Sequence, residues 1–123
     1  MANYSLRQIA EILKLEICNR NPAIIQSQDQ TTVSQAFVGD LLSEVMAKAP
    51  YLGIIITIQS HLNIIAVAYH VEAKAVIITG GKTPEAKAIT AADENNIVVY
   101  TTEETSFDIV GRLFSLGFTS RRD

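Results

Sequence analysis

A chain of 123 residues with 48% apolar side chains is long enough to bury one sizeable core and too apolar for disorder. A net charge of −3 with scattered basic residues argues against a nucleic-acid surface, and one cysteine, Cys18, excludes a disulfide framework or a cysteine-based metal knuckle. No basic-then-apolar leader precedes the first amphipathic segment, and the longest apolar run, residues 64–69, is far short of the ~20 residues that span a bilayer, so a cytoplasmic protein with no membrane partner is expected.

Ser5 and Gln8 stand at capping-box spacing, with Tyr4 and Ile9 placed for a hydrophobic staple. Leu6, Ile9, Ala10 and Leu13 then mark one apolar helical face. Asn19-Arg20-Asn21-Pro22 ends that pattern; Ala23-Ile24-Ile25 is expected as a short edge strand and residues 26–32 as a polar loop. From Val33 onward the chain becomes regular. Residues 35–38 read as a strand, and Asp40 is placed to cap a helix over 41–47 that Pro50 helps stop. Residues 54–58 are continuously apolar, which suits a strand covered on both faces. Ser60 is expected to cap a helix over 61–71. A strand over 75–79 runs into Gly80-Gly81-Lys82, after which Thr83 reads as an N-cap and Pro84 as the first residue of a helix reaching Glu94. The strand over 97–101 precedes a last helix opened by Thr105 and closed at Gly117, with Phe107, Val110, Leu113 and Phe114 read as its buried face.

Strand starts therefore recur about every 20 residues, the pace of βα units with short connections. Parallel strands need such crossovers. The expected fold is α/β: a single domain over residues 1–123, with a parallel or mostly parallel sheet of about four strands and helices on both faces.

Ligands of open parallel sheets bind outside the carboxyl ends of the strands. There Gly39-Asp40, Gln59-Ser60-His61, Gly80-Gly81-Lys82 and Thr102-Glu103 converge. The double glycine admits two readings. Its N–H groups and Lys82 suit a phosphate at a helix start, or the glycines simply make a tight turn; the spacing is neither a Walker A loop nor a dinucleotide fingerprint. His61 opens a helix as a capped, exposed residue or as a ligand contact. His70 lies nearly opposite on the same helix, so with one cysteine neither a metal nor another cofactor is expected. Cys18 reads as a small core residue. Glu103, Glu104 and Asp108 read as charges favourable at a helix start. Ser43, Ser60 and Ser106 read as caps or surface hydroxyls, outside any nucleophile elbow. No catalytic constellation is legible, and the chain is not expected to be an enzyme.

One helix departs from the surface pattern. Residues 61–71 are apolar nearly all round, so this helix is either sandwiched in the domain or meets another chain. A homodimer contact through Ile64, Val67 and Val71 is the expectation.

Several stretches together resemble the DRTGG domain family. They are Leu6-Arg7-Gln8-Ile9-Ala10-Glu11, Gly39-Asp40-Leu41-Leu42-Ser43-Glu44-Val45-Met46, Ile56-Thr57-Ile58-Gln59-Ser60-His61-Leu62-Asn63-Ile64, Ile77-Ile78-Thr79-Gly80-Gly81, and the closing helix over 104–116. No Asp-Arg pair adjoins Thr79-Gly80-Gly81, a departure from the pattern that names the family. The resemblance implies a compact α/β regulatory module, similar in fold to the N-terminal domain of HPr kinase/phosphorylase. It also implies settings beside CBS domains in regulated pyrophosphatases and at the N-terminus of some phosphate acetyltransferases. Two functions follow as expectations. One is a dimeric sensor of a small anionic ligand such as an adenine nucleotide, held at Asp40, His61, Thr79, Gly80, Gly81 and Lys82. The other is an interaction subunit that docks onto a separate enzyme without a small ligand.

Overall fold

The computed structural model describes residues 3–122. Ser5 opens the first helix with the capping box its sequence encodes: its side chain accepts from the Gln8 N–H, and the Gln8 side chain accepts from the Ser5 N–H. In chain order the elements are β1 (Tyr4–Ser5), α1 (Leu6–Leu13), β2 (Glu16–Ile17), α2 (Pro22–Ser27), β3 (Thr32–Val33), β4 (Ala36–Val38) and α3 (Leu42–Lys48). They continue as β5 (Ile54–Thr57), α4 (Leu62–His70), β6 (Ala75–Ile78), α5 (Ala86–Glu94), β7 (Val98–Thr101) and α6 (Ser106–Ser115).

Strands β4 to β7 lie side by side in parallel, and β2 adds an antiparallel edge next to β7, giving the order β2-β7-β6-β5-β4. The sheet thus has five strands, four of them parallel, where about four in all were expected; the two-residue edge strand β2 is the addition. β1 and β3 form a separate antiparallel pair. Because the parallel order advances one way, three right-handed crossovers put α3, α4 and α5 on the same face. The other face is covered by α1, α2 and α6. Side chains alternate accordingly: Ile55, Val76, Ile78 and Val99 join the first core, and Ile54, Ile56, Ile77 and Tyr100 the second. Each fully buried Ile contributes about 1.5–3 kcal/mol of transfer free energy.

Three sequence expectations are corrected here. Ala23-Ile24-Ile25 is not an edge strand; these residues lie in α2, because Asn21 caps it through Ala23 and Pro22 occupies the first turn. The helix after the double glycine begins at Ala86, not Pro84, since the Glu85 N–H donates to the Ser60 carbonyl and holds residues 82–85 outside the helix. On α6 the core residues are Ile109 and Leu113, whereas Phe107 and Phe114 stand in solvent.

Helix α4 explains its own composition. It is the middle helix of its layer, packed on both α3 and α5 as well as the sheet. Ile64, Val67 and Val71 are buried in that core, so the outer surface expected of them is already filled by this chain. Polar knots close the rest. Asn19, buried, donates to Asp93 and to the Ile97 carbonyl and accepts from the Val99 N–H, which ties the end of β2 to α5. Arg122 donates to the Met46 and Ala49 carbonyls at the end of α3 and lies over the Tyr51 ring.

Candidate functional site at the carboxyl ends of the strands

Four turns form the rim expected to bind a ligand, and most of their polar groups hold one turn to the next. Asp40 does not cap α3, whose N-cap Leu41 has no side-chain cap bond. Its Oδ1 instead accepts from the Thr57 hydroxyl (3.0 Å) and the Ile58 N–H (2.9 Å), and its carbonyl accepts from Gln59. Thr57 is fully buried, so its hydroxyl must find an acceptor inside the fold. Thr79 is equally buried: its hydroxyl shares a 2.7 Å hydrogen bond with Ser106, joining β6 to the first turn of α6.

His61 is the N-cap of α4 and makes no side-chain cap bond, and Ser60 does not supply the cap either. The cap comes from the next crossover. Glu85 Oε1 accepts the Leu62 N–H at 3.0 Å, and Glu85 Oε2 lies 3.3 Å from His61 Nδ1. These contacts hold the Glu85 carboxyl below its ordinary value, the Leu62 N–H contributing most.

The double glycine has the conformation of a tight turn. Gly80 and Gly81 have φ of +73° and +71°, a region that side chains disfavour. Their N–H groups donate to the Glu104 and Thr102 carbonyls at 2.8 and 3.0 Å. A Cβ on Gly81 would stand 2.5 Å from Glu103 Oε2. The two N–H groups read as phosphate donors are therefore engaged within the chain, and a carboxylate lies over the second glycine. Lys82, the next residue, is exposed.

An open crevice does exist beside this turn. After β6 the chain crosses to the face of α5, and after β7 it crosses to the opposite face with α6, so the two exits diverge. The space between them, about 520 Å³, is lined by Lys82, Thr83, Thr102, Glu103, Lys14 and Cys18 among others. Lys14 reaches it because it closes α1 in the left-handed conformation and turns the chain into β2. The Cys18 thiol lies 3.7 Å from the Thr101 hydroxyl, and burial pushes it up from its ordinary pKa.

The six residues expected at one ligand site are thus divided. Gly81 and Lys82 line the crevice, and Thr79 and Gly80 do not. Asp40 follows β4 and His61 follows β5, two strand spacings (about 10 Å) and one (about 5 Å) from β6, and neither lines the crevice. Lys14, Glu16 and Thr101 escaped the sequence reading because the two-residue strand β2 has no periodicity of its own. Among the described residues, no group of three or more His, Cys, Asp or Glu is placed to hold a metal, and no helix is long and apolar enough to cross a membrane.

No protein-family model and no curated protein matches the chain. Among solved structures, it is similar to the CBS and DRTGG domains of the regulatory region of Clostridium perfringens pyrophosphatase, complexed with the activator diadenosine tetraphosphate. The TM-score is 0.71 and the identity 24%, over 91% of this chain and 46% of that one. The chain thus spans about half the length of that structure. Such a likeness speaks to the fold, and there it agrees with the sequence resemblance: this chain has a DRTGG-like fold.

Proposed function

We propose that the chain is a non-catalytic regulatory module that senses a small anionic ligand, of the adenine nucleotide class, in the crevice between Lys14 and Lys82. The observation that carries this reading is the divergence of the β6 and β7 exits, which opens a cavity with two lysines in its lining. The remaining polar groups of the rim are committed to holding turns together, which favours binding over catalysis. The structural neighbour supports the ligand class, since that regulatory region is complexed with a dinucleoside polyphosphate.

The electrostatics make the reading directional. Lys14 and Lys82 attract an anion, and Glu16 and Glu103 oppose it. Calorimetric titration with AMP, ATP and diadenosine tetraphosphate tests it. Lys82→Ala should weaken the tightest of them by about tenfold, the size of one lost charge-assisted hydrogen bond. Glu103→Gln should strengthen the same ligand. Loss of affinity in both variants would mean a structural effect, and no heat with the wild-type chain would remove the nucleotide reading.

A second reading rests on a separate feature. Leu41, Ile58 and Leu62 stand exposed on the rim over β4 and β5, away from the crevice. An apolar rim of this kind suits docking onto a partner enzyme. Leu41→Glu should then abolish capture of that enzyme while leaving nucleotide binding intact.

A further inference from the structure

Strand β4 ends the five-stranded sheet on the side away from β2. Its pairing with β5 uses alternate residues: the Gln35 carbonyl accepts from the Ile54 N–H, and the Gly39 N–H donates to the Ile56 carbonyl. The backbone groups of Ala36 and Val38 therefore point outward, away from the sheet. The Ala36 N–H does so visibly, donating to the Thr119 carbonyl at 2.9 Å, and the Thr119 N–H donates to the Ser34 carbonyl. Thr119 thus pairs with the first half of this edge, in parallel with Gln35, and the ladder stops there. Beyond it, the Ala36 carbonyl and the Val38 N–H and carbonyl have no backbone partner among the described residues.

Natural sheet edges are blunted by lysine, proline, a bulge or a covering loop. Past Thr119 this edge offers Val38 instead, 45% exposed. Beside it runs a groove of about 820 Å³, lined from the strand by Val38 and from α6 by Val110 and Phe114. The lining holds one charged residue, Arg121, and no Asp or Glu. Among the described residues, Arg121 makes one hydrogen bond, its carbonyl accepting from Gln35, and its guanidinium makes none.

We propose that this edge receives an extended segment of another protein, which adds as a strand beside Val38, sets an apolar side chain in the groove and offers a carboxylate to Arg121. The unpaired backbone selects that occupant. Donors and acceptors at strand spacing are satisfied by another extended backbone, and one residue laid opposite Val38 can exchange both bonds with it. That residue's side chain shares the face of Val38 and enters the groove, and residues two away share the same face. An arginine with no acid beside it, in a chain of net charge −3, favours Asp or Glu at those flanking positions. A segment of about four residues, roughly 13 Å long, suffices to run beside β4. It buries far less area than a folded partner, so the contact is weak and exchangeable. Neither the crevice nor the apolar rim over β4 and β5 takes part in it.

Fluorescence anisotropy of the full chain with dye-labelled peptides tests the proposal. The probes are acetyl-Glu-Thr-X-Thr-Glu-amide, with X as Val, Ile, Leu or Phe. At least one should bind, and N-methylation of X in the best of them should weaken it about tenfold by removing the donor to the Val38 carbonyl. Val38→Pro removes the outward N–H, which the pairing with β5 does not use, and should weaken the same peptide similarly. Arg121→Glu, at an exposed position, should weaken it without changing the circular dichroism spectrum, so the test stands even if Val38→Pro disturbs the fold. Failure of every peptide to bind, an N-methylated peptide bound as tightly as its parent, or unchanged affinity in Arg121→Glu would each overturn the proposal. So would an edge already taken by a second copy of the chain, seen in sedimentation as a dimer that Val38→Pro dissociates and the peptides do not.

Discussion

Tyr100 shows how one hydroxyl can hold two elements. It sits fully buried on β7, and its OH donates to Gln28 Oε1 at 2.6 Å, while Gln28 in turn donates to the Ile25 carbonyl at the end of α2. Tyr100→Phe keeps the ring and leaves a buried amide oxygen without its donor. The expected cost is about 1–2 kcal/mol, read as a lower urea midpoint with an unchanged slope. The same burial pushes the phenol well above its ordinary value of 10.0. A raised folded-state pKa means that the unfolded chain releases this proton first. Stability is then complete below pH 10.0 and falls as pH rises further. Tyr100→Phe should flatten that alkaline decline, and Glu85 has the opposite sign. Its lowered pKa contributes stability above its ordinary value of 4.5 that is lost as pH falls below it, and Glu85→Gln should remove this acid-side slope.

The elements differ in how far their residues announced them. The capping box of α1 and the apolar strands β5, β6 and β7 were legible, because local chemistry and burial agree there. Helix α2 carried a legible start in Asn21-Pro22, but three apolar residues in a row matched a strand as well as a helix. Asn21→Ala should cost about 1 kcal/mol by urea titration, and loss of the cap should loosen the Gln28 partner of Tyr100 with it. In α6, two apolar stripes overlap, Phe107-Val110-Phe114 and Ile109-Leu113. Periodicity establishes that a helix has an apolar face, but it does not say which of two stripes meets the sheet. Long-range contacts decide that. Glu85 capping α4 was illegible for the same reason, since the partner lies 23 residues away. The crevice was half legible: its glycine turn could be read directly, and its Lys14 wall depends on where β2 docks.

At the scale of the molecule, the crevice and the outer face of α6 are joined by a short chain of bonds. The Gly80 and Gly81 N–H groups hold the Glu104 and Thr102 carbonyls, and the Glu104 carboxylate holds Arg112 on α6 at 3.0 Å. Arg112 reaches on to the Ile12 carbonyl in α1, the helix whose end presents Lys14. An anion drawn in by Lys82 would meet Glu103, which packs over Gly81 in the turn that leads into α6. A regulatory module needs this kind of link, and it can be tested within one chain. Glu104→Gln removes the carboxylate that holds Arg112 without altering a residue that lines the crevice. If α6 and the crevice are coupled, calorimetry should show nucleotide affinity changed by about fivefold or more in this variant, the lower range of known couplings. An affinity equal to that of the wild type would make the crevice independent of α6.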